Sequence, residues 1–201
     1  IIITPILFIF SNNLRSQEVA LDGEIYEYAT YYVNSFDFNT GATNVQIFRY
    51  SLSSSFYPVS LKVMFRASML SPNLGINSEL IISEVITDEF ELQAPLILDN
   101  RDISTESTTI YDTDSPPNAI QLGGQLTESL DPSQADAILQ SVLATGTIAA
   151  GEYTFSIEIL SSSDQILASD SKTIIVETPS SIDLESPGGV LSDTTNNVIY
   201  T

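Results

Sequence analysis

The residues of this chain best equipped for chemistry are carboxylates, and two short clusters of them stand out: Asp99-Asn100-Arg101-Asp102 and Asp112-Thr113-Asp114. Oxygen ligands at alternating loop positions suit Ca²⁺, a hard cation coordinated by about 6–8 oxygens. On that chemistry Asp99, Asp102, Asp112 and Asp114 are the candidate metal ligands, and calcium is the cation they would take. Arg101 opposes a cation in the first cluster, and neither cluster follows the ligand order of an EF-hand. A solvated acidic loop is the plainer account of both.

Other chemistries lack their residues. The chain has no His and no Cys. That removes the usual zinc sites, Cys or Ser-His nucleophile systems and histidine acid-base catalysis. No GxGxxG, GxxxxGK or HExxH pattern occurs, and Leu122-Gly123-Gly124 and Pro187-Gly188-Gly189 read as turns rather than phosphate cradles. A carboxylate pair could still hydrolyse a glycoside, but among 26 acids some pair falls at a suitable spacing by chance. The absence of Trp also removes the best stacking surface for a sugar ring. No catalytic or cofactor-binding residue is therefore assigned, and the expectation is a protein that is not an enzyme.

Charge narrows the partners further. Against 26 acidic residues stand only six basic ones, for a formal charge of −20, and the basic residues are scattered. Such a field repels nucleic acid and anionic lipid surfaces, so neither is an expected partner. It favours solubility and tolerates high ionic strength, because salt screens self-repulsion. Without cysteine no disulfide is available, so core packing must hold the fold, which 201 residues with 43% apolar content allow.

The elements that must hold these groups are strands. Ile25 to Val33 is one candidate, and Val45-Gln46-Ile47-Phe48-Arg49-Tyr50 alternates inward and outward after a turn at Asn39-Thr40-Gly41. The serines from Ser51 to Ser55 read as a loop. From Val59 to Ala67 the apolar residues Val59, Leu61, Val63 and Phe65 share one face, the clearest half-buried strand. A turn at Ser71 to Gly75 leads to strands over Glu79 to Ile86 and Phe90 to Leu98, and Asp99 to Pro117 reads as a long surface excursion.

Asp131-Pro132 marks a helix start, with Asp131 as N-cap and Pro132 at the first helical position. Ala135, Ile138, Leu139, Val142 and Leu143 then keep helical spacing until Gly146. Gly151 to Leu160, a turn at Ser161 to Asp164 and a return over Ser171 to Glu177 form a hairpin. The expected fold is mainly β: an antiparallel β-sandwich with one short helix inserted near 132–145.

The termini suggest a modular, exported chain. Ile1 to Phe10 carries eight large apolar side chains, too short for a membrane span of about 20 residues. The run matches the apolar region of a signal peptide whose basic start has been trimmed, so residues 1–17 are read as a signal peptide and 18–178 as the mature β-sandwich module, not membrane-embedded. The alternative is a retained first strand, which would serve as an assembly handle. Residues 179–201, with Leu184-Glu185-Ser186-Pro187-Gly188-Gly189, read as a hinge and the first strand of a following module.

The helix from Ser133 to Leu143, the run Thr147-Ile148-Ala149-Ala150-Gly151-Glu152-Tyr153-Thr154-Phe155 and the hairpin ending Ile174-Ile175-Val176-Glu177-Thr178-Pro179 carry a resemblance. This last third of the chain resembles immunoglobulin-like or fibronectin type III-like modules of large secreted surface proteins of Gram-negative bacteria. The resemblance implies an immunoglobulin-like sandwich without catalytic residues. The functional expectation is a structural or adhesive module at the cell surface or outside the cell, meeting other modules or subunits of a surface assembly. Two alternatives stand beside it: a self-assembling filament or surface-layer subunit joined by strand addition, and a calcium-dependent accessory domain that binds polysaccharide.

Overall fold

A computed structural model describes residues 19–29, 45–131, 133–136, 138, 140 and 149–177. Among these the architecture is mainly β and antiparallel throughout, in a β-sandwich-like arrangement. Among the described residues eleven strands follow one another: β1 (Val19–Ile25), β2 (Phe48–Ser54), β3 (Val59–Ser71), β4 (Ile76–Thr87), β5 (Phe90–Leu92), β6 (Leu96–Asp99), β7 (Thr108–Tyr111), β8 (Ala119–Leu122), β9 (Gly124–Ser129), β10 (Gly151–Ser161) and β11 (Ile166–Val176). One sheet has the order β1-β2-β6 and the larger one β11-β10-β3-β4-β9, with β5 also paired to β3. β7 and β8 form a separate two-stranded ribbon.

Period-two alternation explains the middle of the large sheet. In β3, Val59, Leu61, Val63, Phe65, Ala67 and Met69 are buried, and in β10 so are Tyr153, Phe155, Ile157 and Ile159. The register sets Phe65 beside Ile157 and Ala67 beside Phe155, so the apolar faces coincide. Ile25, Phe48, Tyr50, Leu52, Leu96 and Leu98 of the small sheet face them across the core. Phe48 and Phe65 meet with ring centroids 5.3 Å apart, the tilted geometry aromatic pairs favour.

Several sequence expectations are corrected. The serine run after Tyr50 is strand, not loop: Leu52 sits buried between Leu21 and Leu96 while Ser51 and Ser53 face outward. Cross-strand burial of one leucine outweighs the turn preference of its serine neighbours. Of the strand expected over Ile25 to Val33, the described residues give strand only at Ile25; residues 27–29 form a 3-10 turn beside which Tyr26 and Tyr28 stack, and residues 30–33 and the expected turn at Asn39-Thr40-Gly41 lie outside the described residues. The stretch from Phe90 to Leu98 breaks into β5 and β6, and the supposed excursion contains β7.

The turn at Ser71 to Gly75 is present. Gly75 takes φ 77°, a left-handed value natural to glycine, and closes a 3-10 turn over Pro72–Leu74. The helix start is present too: residues 133–136, 138 and 140 are helical. Asp131 Oδ1 accepts bonds from the Ser133 and Gln134 amides, and Gln134 Oε1 accepts one from the Asp131 amide, a reciprocal cap. Ala135 and Ile138 join the core. Leu139, Val142, Leu143 and Gly146 lie outside the described residues, as do residues 1–17 and 179–201.

Ser83 is the one buried side chain among the described residues whose polar atom has no partner. It lies on β4 between Ala67 of β3 and Ser129 of β9. An unmet buried hydroxyl costs about 1–3 kcal/mol. Ser83→Ala is therefore expected to leave the urea midpoint unchanged or raise it, by up to about 1 kcal/mol in stability; a clear loss would reveal a partner for this hydroxyl.

Candidate functional site

The four acidic residues singled out by their spacing occupy two turns at opposite ends of β6. Asp99 ends the strand and caps a 3-10 turn over Asn100–Asp102. Its carboxylate accepts bonds from the Arg101 backbone amide at 2.8 Å, from Arg101 Nη2 at 2.6 Å and from Gln46 Nε2 at 3.2 Å. Asp102 Oδ2 closes the box by accepting the Asp99 amide at 2.9 Å. Burial holds the Asp102 carboxyl above the ordinary range, against the pull of that backbone bond.

At the other end, Asp112 bridges Leu96. Only 5% exposed, it staples the loop that follows. Its Oδ1 accepts the amides of Asn118 at 2.8 Å and Asp114 at 3.2 Å, and its Oδ2 accepts Asn118 Nδ2 at 2.8 Å. Burial pushes this carboxyl up, but the Asn118 side-chain bond and the two backbone bonds outweigh it and leave it below the usual range. Asp114 Oδ1 accepts the Ser115 amide within the same loop.

The structure thus brings Asp99 to Asp102 and Asp112 to Asp114, and keeps the pairs apart. Three strand steps between Leu96 and Asp99 separate the turns by roughly 10 Å. Among the described residues no three metal-ligating side chains converge. What these carboxylates do is accept the hydrogen bonds that fix two loops.

Asn100 is the residue that sequence reasoning passed over. Buried to 2% exposure, its Oδ1 accepts the Ile47 amide at 2.6 Å and its Nδ2 donates to the Val45 carbonyl at 2.7 Å. It ties the turn after β6 to the chain entering β2. The only signal was a short amide in a turn; its partners lie more than fifty residues away.

The outer face of the large sheet carries three open depressions of about 250, 270 and 300 Å³. They are lined by hydroxyls and carboxylates, with Lys62 in the third, where it pairs with Asp164 at 2.7 Å. In the second, Ser68 donates to Glu79 at 2.7 Å but is itself buried, so this hydroxyl is not presented to a substrate. Exposed aromatic side chains lie elsewhere: Tyr28 near the start of β2, Phe56 and Tyr57 in the turn between β2 and β3, and Tyr111 at the base of the stapled loop.

No protein-family model matches the chain, and neither a curated protein nor a solved structure does.

The loop staple gives a pH test. A carboxyl held below its unfolded value, as at Asp112 and Asp131, contributes stability above the ordinary carboxylate range and loses it as pH falls through the folded value. Asp102, held above, has the opposite sign: its contribution is present at low pH and fades as pH rises through the folded value. In urea unfolding between about pH 7 and pH 2, wild type is expected to lose stability below about pH 4, and Asp112→Asn to lose less over that window. Identical slopes would contradict the assigned role of Asp112.

Proposed function

We propose that this chain is a non-catalytic structural or adhesive module of an exported bacterial surface protein, built as an immunoglobulin-like sandwich. The observation that carries this reading is strand order. With β1, β2, β3, β4, β6, β10 and β11 lettered A, B, C, C′, E, F and G, the small sheet runs A-B-E and the large one G-F-C-C′, continued by β9 and with β5 paired to the start of C. Immunoglobulin-type sandwiches also place A, B and E in one sheet and G, F, C and C′ in the other, with a strand D beside E that has no counterpart among the described residues. The ribbon β7–β8, strand β9 and the helix then form one insertion between E and F.

The sheet edges support a self-contained module over a strand-adding subunit. β11 directs the charged side chains of Asp170 and Lys172 across the flank toward the small sheet, where Tyr50 and the Ile25 carbonyl meet them, although Asp170 remains exposed and Lys172 half-buried. Charges on an edge strand oppose pairing with another chain. β9 carries a register shift opposite Glu84 and Val85, with Thr127 turned back onto Glu84. Beyond β6, Thr113 donates its amide to the Pro95 carbonyl at 2.8 Å, beside the bridge from Leu96 to Asp112. Each device blunts an edge.

Two measurements test the proposal. Antibody against residues 45–131 is expected to label intact host cells or the medium; labelling only after permeabilisation would overturn export. Light scattering on the purified chain is expected to give a monomer at micromolar concentration, whereas polymer would favour the strand-adding subunit.

A further inference from the structure

The first and last described strands meet along one flank of the sandwich with no backbone ladder between them. Side chains make the link. Lys172, late in β11, donates its Nζ to the carbonyl of Ile25, the last residue of β1, at 3.0 Å, and lies 3.8 Å from Glu27. Tyr50, on β2 beside β1, donates its hydroxyl to Asp170 Oδ2 at 2.5 Å.

These pairings fix direction. Because the late half of β11 lies against the end of β1, the two strands run the same way. The chain therefore enters the described fold at Val19 at one end of the sandwich and leaves near Val176 at the other. Force applied at the start of β1 and the end of β11 slides the two strands past each other. Sliding strains every cross-link at once, whereas pulling from one end opens them in turn.

We propose that Lys172 and Asp170 form a side-chain clasp that fixes β11 to the β1–β2 sheet and sets the resistance of this fold to force along the chain. The inference rests on the surface-module reading only for the source of that force. Both clasp residues lie on one edge strand, and both are met from the opposite sheet. The clasp thus does two jobs with the same charges: it closes the edge to foreign strands and joins the first and last described strands.

The chain has no cysteine, so engineered thiols give unique attachment points for single-molecule stretching. The full chain is held either by thiols at Ala20→Cys and Glu177→Cys, which lie at the start of β1 and just past the end of β11, or by thiols at Ala20→Cys and Ser163→Cys. Ser163 lies in the turn before β11, at the Val19 end, so the second geometry peels rather than slides. Lys172→Met keeps the aliphatic stem and removes the donor; Tyr50→Phe removes the other link and nothing more.

At fixed force in the sliding geometry each variant is expected to unfold about tenfold faster than wild type, the change expected for one lost charge-assisted bond. In the peeling geometry neither is expected to accelerate unfolding. An unchanged rate in the sliding geometry, or equal acceleration in both geometries, would overturn the clasp. Since force is applied to the isolated chain, failure of cell-surface labelling would leave this result standing.

Discussion

Phe48 in the small sheet and Phe65 in the large one meet at the point where the two layers must agree in register. Shifting either strand by one residue would turn its apolar set to solvent, so this contact constrains both sheets. From Phe65 the constraint passes to Ile157 on β10 and Val85 on β4, each opposite it in the ladder. From Phe48 it passes to Ile25 on β1, and its amide bonds the Asn100 side chain in the turn after β6. The loops that carry the conspicuous acids are held in place by this core, and their carboxylates are consumed in closing them.

Electrostatics acts on the same frame. Lys62 ties β3 to the turn between β10 and β11, and Arg66 pairs with Glu84, which faces Glu128 across β4 and β9. Lys172 crosses from one sheet to the other. Exposed ion pairs contribute at most about 1 kcal/mol each, so their value lies in placement: scarce cations stand where carboxylates on neighbouring strands would otherwise repel. Elsewhere among the described residues most carboxylates face water.

Much of the frame was legible before any coordinates. β3 and β10 announce themselves by strict alternation, the 3-10 turn by its Pro and Gly, and the helix start by Asp131 and the Gln134 that answers it. The second half of β2 was obscured by its serines, and β7 and β9 by polar residues with no buried position between them, so that only their backbone ladders to β8 and β4 show them to be strands. The acids were visible as a composition, but their spacing alone could not separate ligands from turn caps. Asn100 needed the partners at Val45 and Ile47, which no local pattern reveals.

The proposed module is a self-contained sandwich whose edges are closed to other chains. Amide hydrogen exchange on the full chain, compared at low and high protein concentration, tests it most directly. The slowest amides are expected on β3 and β10, with β9 and β11 exchanging at the same rate at both concentrations. Protection of β9 or β11 that grows with concentration would show those edges accepting a strand, and would contradict it.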